Sequence, residues 1–493
     1  MFHKICSLCG YSPSIEFMDD LESLIDILDY INVVDNEEES NDEDDEEDDE
    51  EDDDENESLK TSLFNEEETQ DFIENTLFLM EEFIQANPKL ISEPTFQENF
   101  EYEIRELALS SLESLKKKPT VWYEWNQMDE EFKEEIDILL EKVFELFFTT
   151  MYPVRSYEKS IILQPLSLEQ KQGLERKLEI LKAKPQPPQR TKEWYEFRYQ
   201  LITASNAYKA FESQAQQNQL IYEKCHPLQT ENESVGLINT DTTLHWGQMC
   251  EPLSVMFYER EYNTKVADFG CIQHELYRFL GASPDGINVD LFNDRYGRML
   301  EIKNIVNREI DGVPKKEYWI QMQLQMETCD LEECDFLETK FVRYDCEADY
   351  LADSTDEKAT IIYFANIEGN PKYVYQPLSY LDKSQEEVEE WIEQQKEEGE
   401  KEGLIWIANI YLKLEVMSCV LVTRNRRWFQ DNVHELEAIW RIIEKERETG
   451  YEHRASVKKE KRSLSITDSI DGKSQGCLIS LNKETGKTSI IGK

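Results

Sequence analysis

Three short segments carry residue types whose order and spacing suit metal-assisted chemistry: Pro284-Asp285-Gly286, Glu301-Ile302-Lys303 and Trp246-Gly247-Gln248-Met249-Cys250-Glu251. The apolar run MLEIKNIV predicts a strand over Arg298–Lys303. Side chains alternate along a strand, so Glu301 and Lys303 share one face and Ile302 points to the other. A carboxylate beside an ammonium is a useful unit, because one binds a hard divalent cation while the other orients a water. Asp285 lies in a Pro-Asp-Gly turn, where its backbone is locally fixed, and can supply a second carboxylate. Mg²⁺ is typically held by one or two carboxylates together with water and phosphate oxygens. Such an ion polarises a phosphodiester and makes hydroxide available near neutral pH. Taken singly each piece is bland: Glu-x-Lys on a strand is usually a surface ion pair, and Pro-Asp-Gly is usually just a turn. The combination in this order, with Glu251 on a predicted helix upstream, is far more specific.

The elements that must position these residues are legible from periodicity. From Ser58 to about Lys184, apolar residues recur at three-to-four spacing, among them Phe72, Leu77, Met80 and Phe83, then Ile136, Leu140, Val143 and Phe147. This predicts a helical accessory domain over 59–185. Prolines at 185, 187 and 188 break the pattern. Strands and helices then alternate, which predicts a mixed α/β domain over 186–450. Its further candidate strands are Phe336–Tyr344, Thr360–Ala365, Lys372–Pro377 and Cys419–Thr423. A region around 346–415 reads as an insertion bearing a charged helix, Glu386–Glu402, and a last helix runs from about Asn432 to Glu448.

Charge is spread unevenly over the 493 residues, whose formal net charge is −52. Residues 35–57 hold 19 acids and no base, so 35–58 reads as an acidic disordered linker. Before it, 1–34 is a short segment with an amphipathic helix over 15–34. Residues 451–493 form a flexible basic tail; within 453–493 nine bases oppose four acids. No apolar run reaches the ~18 residues a membrane span needs, and the first residues lack a signal-peptide core, which points to an intracellular protein. Scattered cysteines, ten in all, suggest reduced thiols rather than a disulfide framework. Cys6-x-x-Cys9 has no second metal-binding pair nearby, and Cys329, Cys334 and Cys346 form no tight cluster motif. Taken alone, −52 opposes a nucleic acid partner, but much of that charge lies outside the α/β domain.

Together these motifs resemble the restriction-endonuclease-like nuclease superfamily, with its Pro-Asp…Glu-x-Lys signature, and within it the lambda exonuclease and YqaJ-type viral recombinase family. Further segments carry the likeness: Trp194-Tyr195-Glu196-Phe197-Arg198 followed by Ile202-Thr203-Ala204-Ser205, the Trp246-Gly247…Glu251 helix, Ser283-Pro284-Asp285-Gly286, and Tyr318-Trp319-Ile320-Gln321. The resemblance covers about 186–345 well and resumes at Cys419–Glu448. It implies an α/β fold with a central mixed sheet flanked by helices. It implies that Glu251, Asp285 and Glu301 bind metal with the Ile302 carbonyl, that Lys303 positions the attacking water, and that Gln321 sits beside the active site. Tyr318 and His245 are second-tier candidates near it. Arg198 and Ser205 resemble the pair that holds the 5′-phosphate of a DNA end, a role that a forked guanidinium and a hydroxyl at a helix start suit well.

What the resemblance implies is a nuclease using two Mg²⁺ ions, with Mn²⁺ as substitute, acting 5′→3′ on duplex DNA ends. The expected setting is recombination, repair or genome processing in a large DNA virus or phage, in the host cytoplasm or viral factory or packaged in the virion. A single-strand annealing protein is the expected partner, and ring-shaped trimers occur in the family. Two alternatives stay open at this point: an endonuclease or nickase on the same fold, and a non-catalytic DNA-recombination or packaging scaffold.

Overall fold

The protein is described here by a computed structural model covering residues 65–115, 130–187, 191–228, 239–455, 478–481 and 488–491. The helix expected over 15–34 and the acidic linker over 35–58 lie outside the described residues.

Four helices come first: α1 (Glu66–Ala86), α2 (Phe96–Leu115), α3 (Glu130–Thr150) and α4 (Leu168–Ala183). Asn65 and Ser167 start α1 and α4 with capping boxes, so side chains satisfy amide groups that a helix start leaves unpaired. Phe100 of α2 lies at the centre, its ring 5.6 Å from those of both Phe83 and Phe147. The apolar spacing read from the sequence is thus the face these helices bury against one another.

The mixed part follows. Helices α5 (Lys192–Tyr199), α6 (Ala204–Ala207), α7 (Gln214–Cys225) and α8 (Thr243–Tyr262) are interleaved with and followed by short strands. These strands are β1 (Ile202–Thr203), β2 (Val266–Ala267), β3 (Ile272–Gln273), β4 (Leu280–Ala282) and β5 (Gly286–Asn288). Strand β6 (Met299–Asn304) leads through α9 (Lys316–Cys329) to β7 (Glu333–Arg343). Then come α10 (Glu347–Ala352), β8 (Lys358–Ala365), β9 (Pro371–Tyr375), α11 (Gln385–Lys401), β10 (Ile405–Thr423) and α12 (Arg426–Thr449).

Seven strands make one mixed sheet in the order β2-β5-β6-β7-β10-β8-β9, with β6 and β7 parallel. A smaller sheet has the order β1-β4-β3. The chain leaves the small sheet at the end of β4 and enters the large one at β5, crossing through Ser283-Pro284-Asp285. Helix α9 lies on one face of β6; on the other, Leu300 and Ile302 pack with Tyr258 of α8.

Strand β10 is much longer than the five residues expected. Its first half pairs with β8 and its second with β7, and the register shifts between Trp406 and Ala408 and again between Leu414 and Val416. The polar residues Asn409, Lys413, Glu415 and Ser418 mask its length in the sequence, since they interrupt the apolar run while backbone pairing continues on both sides. Beyond Ala455, where the sequence suggested no strands, β11 (Leu478–Leu481) and β12 (Thr488–Ile491) pair antiparallel.

The four leading helices share a continuous apolar core with α9 and α12. Arg155, buried just after α3, fastens this contact. It donates through Nε and Nη2 to the Ser92 carbonyl (3.3 and 3.1 Å) and also to the Pro314 carbonyl, while its own carbonyl accepts from Trp319 Nε1 (2.9 Å). Burial pulls its pKa down to about 10, still well above neutral, so it stays charged. Replacing it by Leu strands the buried carbonyls of Ser92 and Pro314. At about 1–3 kcal/mol for each of the two unsatisfied groups, Arg155→Leu should destabilise the chain by about 2–6 kcal/mol. A urea midpoint equal to that of the parent would refute this.

Candidate active site

The site forms where β5 parts from β6. Gly286 still pairs with Leu300, but the chain before it turns away through Pro284. The Ile302 amide would then lack the acceptor a neighbouring strand provides. Asp285 supplies one instead, its Oδ2 accepting from Ile302 N at 2.7 Å. A buried backbone donor must be paired, so this bond fixes the Asp285 carboxylate beside β6. Gly286 allows the geometry from below: a Cβ there would stand 2.2 Å from Val266 Cγ1 on β2, an impossible approach.

Glu301 is fully buried on β6 and faces α9. Its Oε1 accepts from Gln321 Nε2 at 2.7 Å and from the Lys303 ammonium, and its Oε2 accepts from Gln325 Nε2 at 2.7 Å. Gln321 and Gln325 are one helical turn apart, which presents both amides to the two oxygens of one carboxylate. Lys303 Nζ also lies 3.4 Å from Gln321 Oε1 and 4.8 Å from the centre of the Tyr318 ring. Glu301 and Lys303 do share a face, as strand alternation demands.

The electrostatics are unbalanced toward negative charge. Burial, with Glu301 next to it, pushes the Asp285 carboxyl well above the usual carboxylate range; Glu251 adds to the push and Lys303 opposes it. Burial works against the Lys303 charge, but Glu301 and Asp285 outweigh it and hold the ammonium above its ordinary value. Lys303 is therefore a charged donor at neutral pH. Carboxylates crowded around one ammonium are a setting that a divalent cation relieves. The oxygen donors of Asp285 and Glu301 and the Ile302 carbonyl fit a hard ion of the Mg²⁺ type. Among the described residues, no three His, Cys, Asp or Glu side chains come together as a ready-made metal cage. Glu251, on helix α8 across β6, adds its charge to that of the two carboxylates.

Arg198 and Ser205 lie around the same turn. Arg198 Nη1 donates to Ser283 Oγ at 3.2 Å and its Nη2 to Thr203 Oγ1 at 3.5 Å, while Thr203 Oγ1 and Ser205 Oγ are 3.4 Å apart. The guanidinium stacks on Trp194, 4.4 Å from the ring centre. The neighbouring glutamate Glu196 pairs with Lys192 instead, at 3.8 Å. His245 is drawn elsewhere: its Nε2 hydrogen-bonds the Tyr373 hydroxyl at 2.6 Å, on the edge strand β9.

Three further residues belong to this region. Ser283 is the contact between the Arg198 pocket and the Asp285 turn; its place directly before Pro284-Asp285 was the available signal. Gln325 completes the grip on Glu301, and its one-turn spacing from Gln321 was the signal there. Lys224 is buried behind Arg198 and donates to the Arg198 carbonyl at 2.8 Å. Burial, then the charges of Arg198 and Arg447, bring its pKa down to about 8. Its signal was a lysine on an otherwise apolar helix face with Leu220, Ile221 and Cys225.

Residues 193–332 match the YqaJ-like viral recombinase domain. This YqaJ-like stretch contains all of the residues just described except Tyr373, Glu196's partner Lys192 and Arg447. An uncharacterised protein of Acanthamoeba polyphaga mimivirus is 28% identical over 308 residues, which is 54% of this chain and 54% of that protein. The chain thus spans about half the length of the curated relative it matches. Among solved structures, an alkaline exonuclease from Laribacter hongkongensis is similar at 19% identity, over 52% of this chain and 95% of that one, with a TM-score of 0.31. The same exonuclease in complex with dAMP is similar at 20% identity with the same coverage and TM-score.

The raised value at Asp285 has a consequence for stability. A carboxyl whose folded pKa lies above its unfolded one binds its proton more tightly when folded. Its cost is therefore present at neutral pH and is lost as pH falls into the ordinary carboxylate range. Asp285→Asn keeps the acceptor for Ile302 N but removes the charge. In EDTA at pH 7.5 it should unfold at a higher denaturant midpoint than the parent, because the crowded charge is gone. The gain should shrink toward pH 4, and added Mg²⁺ should stabilise only the parent. A lower midpoint for the variant in EDTA at pH 7.5 would contradict the like-charge crowding.

Proposed function

We propose that this chain is a metal-dependent DNA nuclease of the YqaJ type, acting 5′→3′ from duplex ends in viral recombination, repair or genome processing. The observation that carries the reading is the Asp285–Glu301–Lys303 cluster at the parting of β5 and β6, where the buried Glu301 carboxylate and the half-buried Asp285 carboxylate act on one ammonium. The YqaJ-like match over 193–332 agrees with it.

Asp285, Glu301 and the Ile302 carbonyl would hold one Mg²⁺, or Mn²⁺ in its place, and Glu251 would share a second. Such ions supply charge neutralisation at the phosphodiester and water that is readily deprotonated. The chain's own groups do the rest. Lys303, a charged donor rather than a base, orients the attacking water. Gln321 holds Lys303 and Glu301 in register through its amide. Arg198 offers a guanidinium with the hydroxyls of Ser283 and Thr203 and the Cys271 thiol as neighbours, and Ser205 adds a further hydroxyl. A guanidinium with hydroxyl neighbours is a fit for a terminal phosphate, with forked hydrogen bonds to its oxygens. That pocket, set beside the carboxylates, favours a mode that begins at a 5′-phosphorylated end over internal nicking. DNA ends are thus the proposed substrate, and a single-strand annealing protein, acting on the 3′ strand so exposed, is the proposed partner.

The test is a digestion of linear duplexes carrying 5′-phosphate or 5′-hydroxyl, beside closed circular plasmid. The parent with Mg²⁺ should degrade the linear duplexes and spare the plasmid, and EDTA should stop it. Asp285→Ala and Lys303→Ala should each lose about a hundredfold or more in rate. Arg198→Ala should retain cleavage but lose most of the preference for 5′-phosphate. Cleavage of the plasmid would overturn the end-dependent mode, and undiminished activity of Asp285→Ala would overturn the site.

A further inference from the structure

Gln325 does something no other side chain at the site does. Its amide nitrogen donates both to Glu301 Oε2 (2.7 Å) and to the Ser283 carbonyl (3.2 Å). Glu301 is a proposed metal ligand. Ser283 is the residue whose hydroxyl takes a hydrogen bond from Arg198 and whose backbone leads into Asp285. One amide thereby joins the carboxylate on β6 to the turn between the two sheets. The residue is fully buried on α9, packed into the core under the site. Both of its amide hydrogens are committed to acceptors, so the group cannot flip without setting an oxygen against the Glu301 carboxylate. Its own Oε1 is buried without a hydrogen-bond partner. An unsatisfied buried acceptor is costly, and it is retained here in an orientation dictated by the two acceptors on the other side. Gln321, by contrast, hydrogen-bonds Glu301 and Lys303 and, among the described residues, makes no hydrogen bond to the Ser283 turn.

We infer that Gln325 is a positioning residue that sets the register between the end-phosphate pocket around Arg198 and the metal carboxylates. The inference rests on the nuclease reading above and deepens it. With Gln325 in place, a phosphate seated against Arg198 and Ser283 is held at a fixed offset from Glu301, so end recognition is converted into correct placement of the scissile bond. Without it, the pocket and the carboxylate both persist but are no longer tied. Loss of a group that orients a metal ligand typically weakens metal binding about 10–100-fold.

The experiment compares the parent, Gln325→Met and Gln321→Met, with Gln325→Glu as an isosteric second variant should the methionine variant fail to fold. Three readouts are taken: the Mg²⁺ concentration that gives half the full thermal shift, the ratio of kcat/KM on 5′-phosphate and 5′-hydroxyl duplexes, and metal-free binding of the same duplexes. For Gln325→Met the Mg²⁺ midpoint should rise about tenfold. Its kinetic preference for 5′-phosphate should fall close to unity, while the metal-free binding preference is kept. Gln321→Met should lose kcat yet keep the kinetic preference. A Gln325 variant with an unchanged Mg²⁺ midpoint and unchanged kinetic preference would overturn the inference. Loss of the metal-free binding preference as well would also overturn it, because the pocket itself would then depend on Gln325. A parent without nuclease activity, or without any end preference, would instead remove the functional reading on which this rests.

Discussion

A carboxylate removed from water must have its oxygens bonded, and Glu301 is the case on which this structure turns. Burying a charge is costly unless it is paired and hydrogen-bonded. Here the charge is met by Lys303 two residues away on the same strand and by two glutamine amides from α9. That requirement fixes the face β6 presents to α9, the rotation of α9 about its axis, and the distance between them. The apolar side of β6, with Leu300 and Ile302 against Tyr258 of α8, is fixed by the same alternation. The polar site and the core beneath it are two consequences of one strand.

The second constraint is the missing strand partner of Ile302. Because β5 leaves β6 at this point, a side chain must replace a backbone acceptor, and Asp285 does so. This brings a second carboxylate to the first, at the cost of like-charge crowding that raises the Asp285 pKa. A site arranged in this way is strained electrostatically as a protein alone and relieved by a cation. The same departure of the chain carries Ser283 to Arg198, so Arg198 and the carboxylates are neighbours through three consecutive residues. The helices in front reinforce this region from behind, since Arg155 secures both Pro314, just before α9, and Trp319 within it.

The overall charge of −52 has little bearing on this local balance. Nineteen acids lie in residues 35–57, outside the YqaJ-like stretch. Around Arg198 the charge is locally positive: burial, then Arg198 and Arg447, the latter from outside that stretch, depress the Lys224 pKa. The potential there depends on these few groups rather than on the sum over the chain.

The sequence by itself determined which residue types could meet at this place and their linear order. Glu301 and Lys303 had to share a face because strand side chains alternate, Gln321 and Gln325 had to share one because helix positions four apart do, and Asp285 had to sit in a turn. The leading helices and most large-sheet strands were legible for the same reason, their apolar residues falling at the period of the element. Other things were decided only by the tertiary structure. Strand β10 is 19 residues long because it pairs with β8 and then β7, which no local pattern records. His245 faces Tyr373 rather than the carboxylates because α8 presents it to β9. Lys224 reaches Arg198, and Gln325 reaches Ser283, because elements distant in sequence pack together. Local periodicity fixes which face a residue occupies, but only the packing of one element on another decides what that face meets.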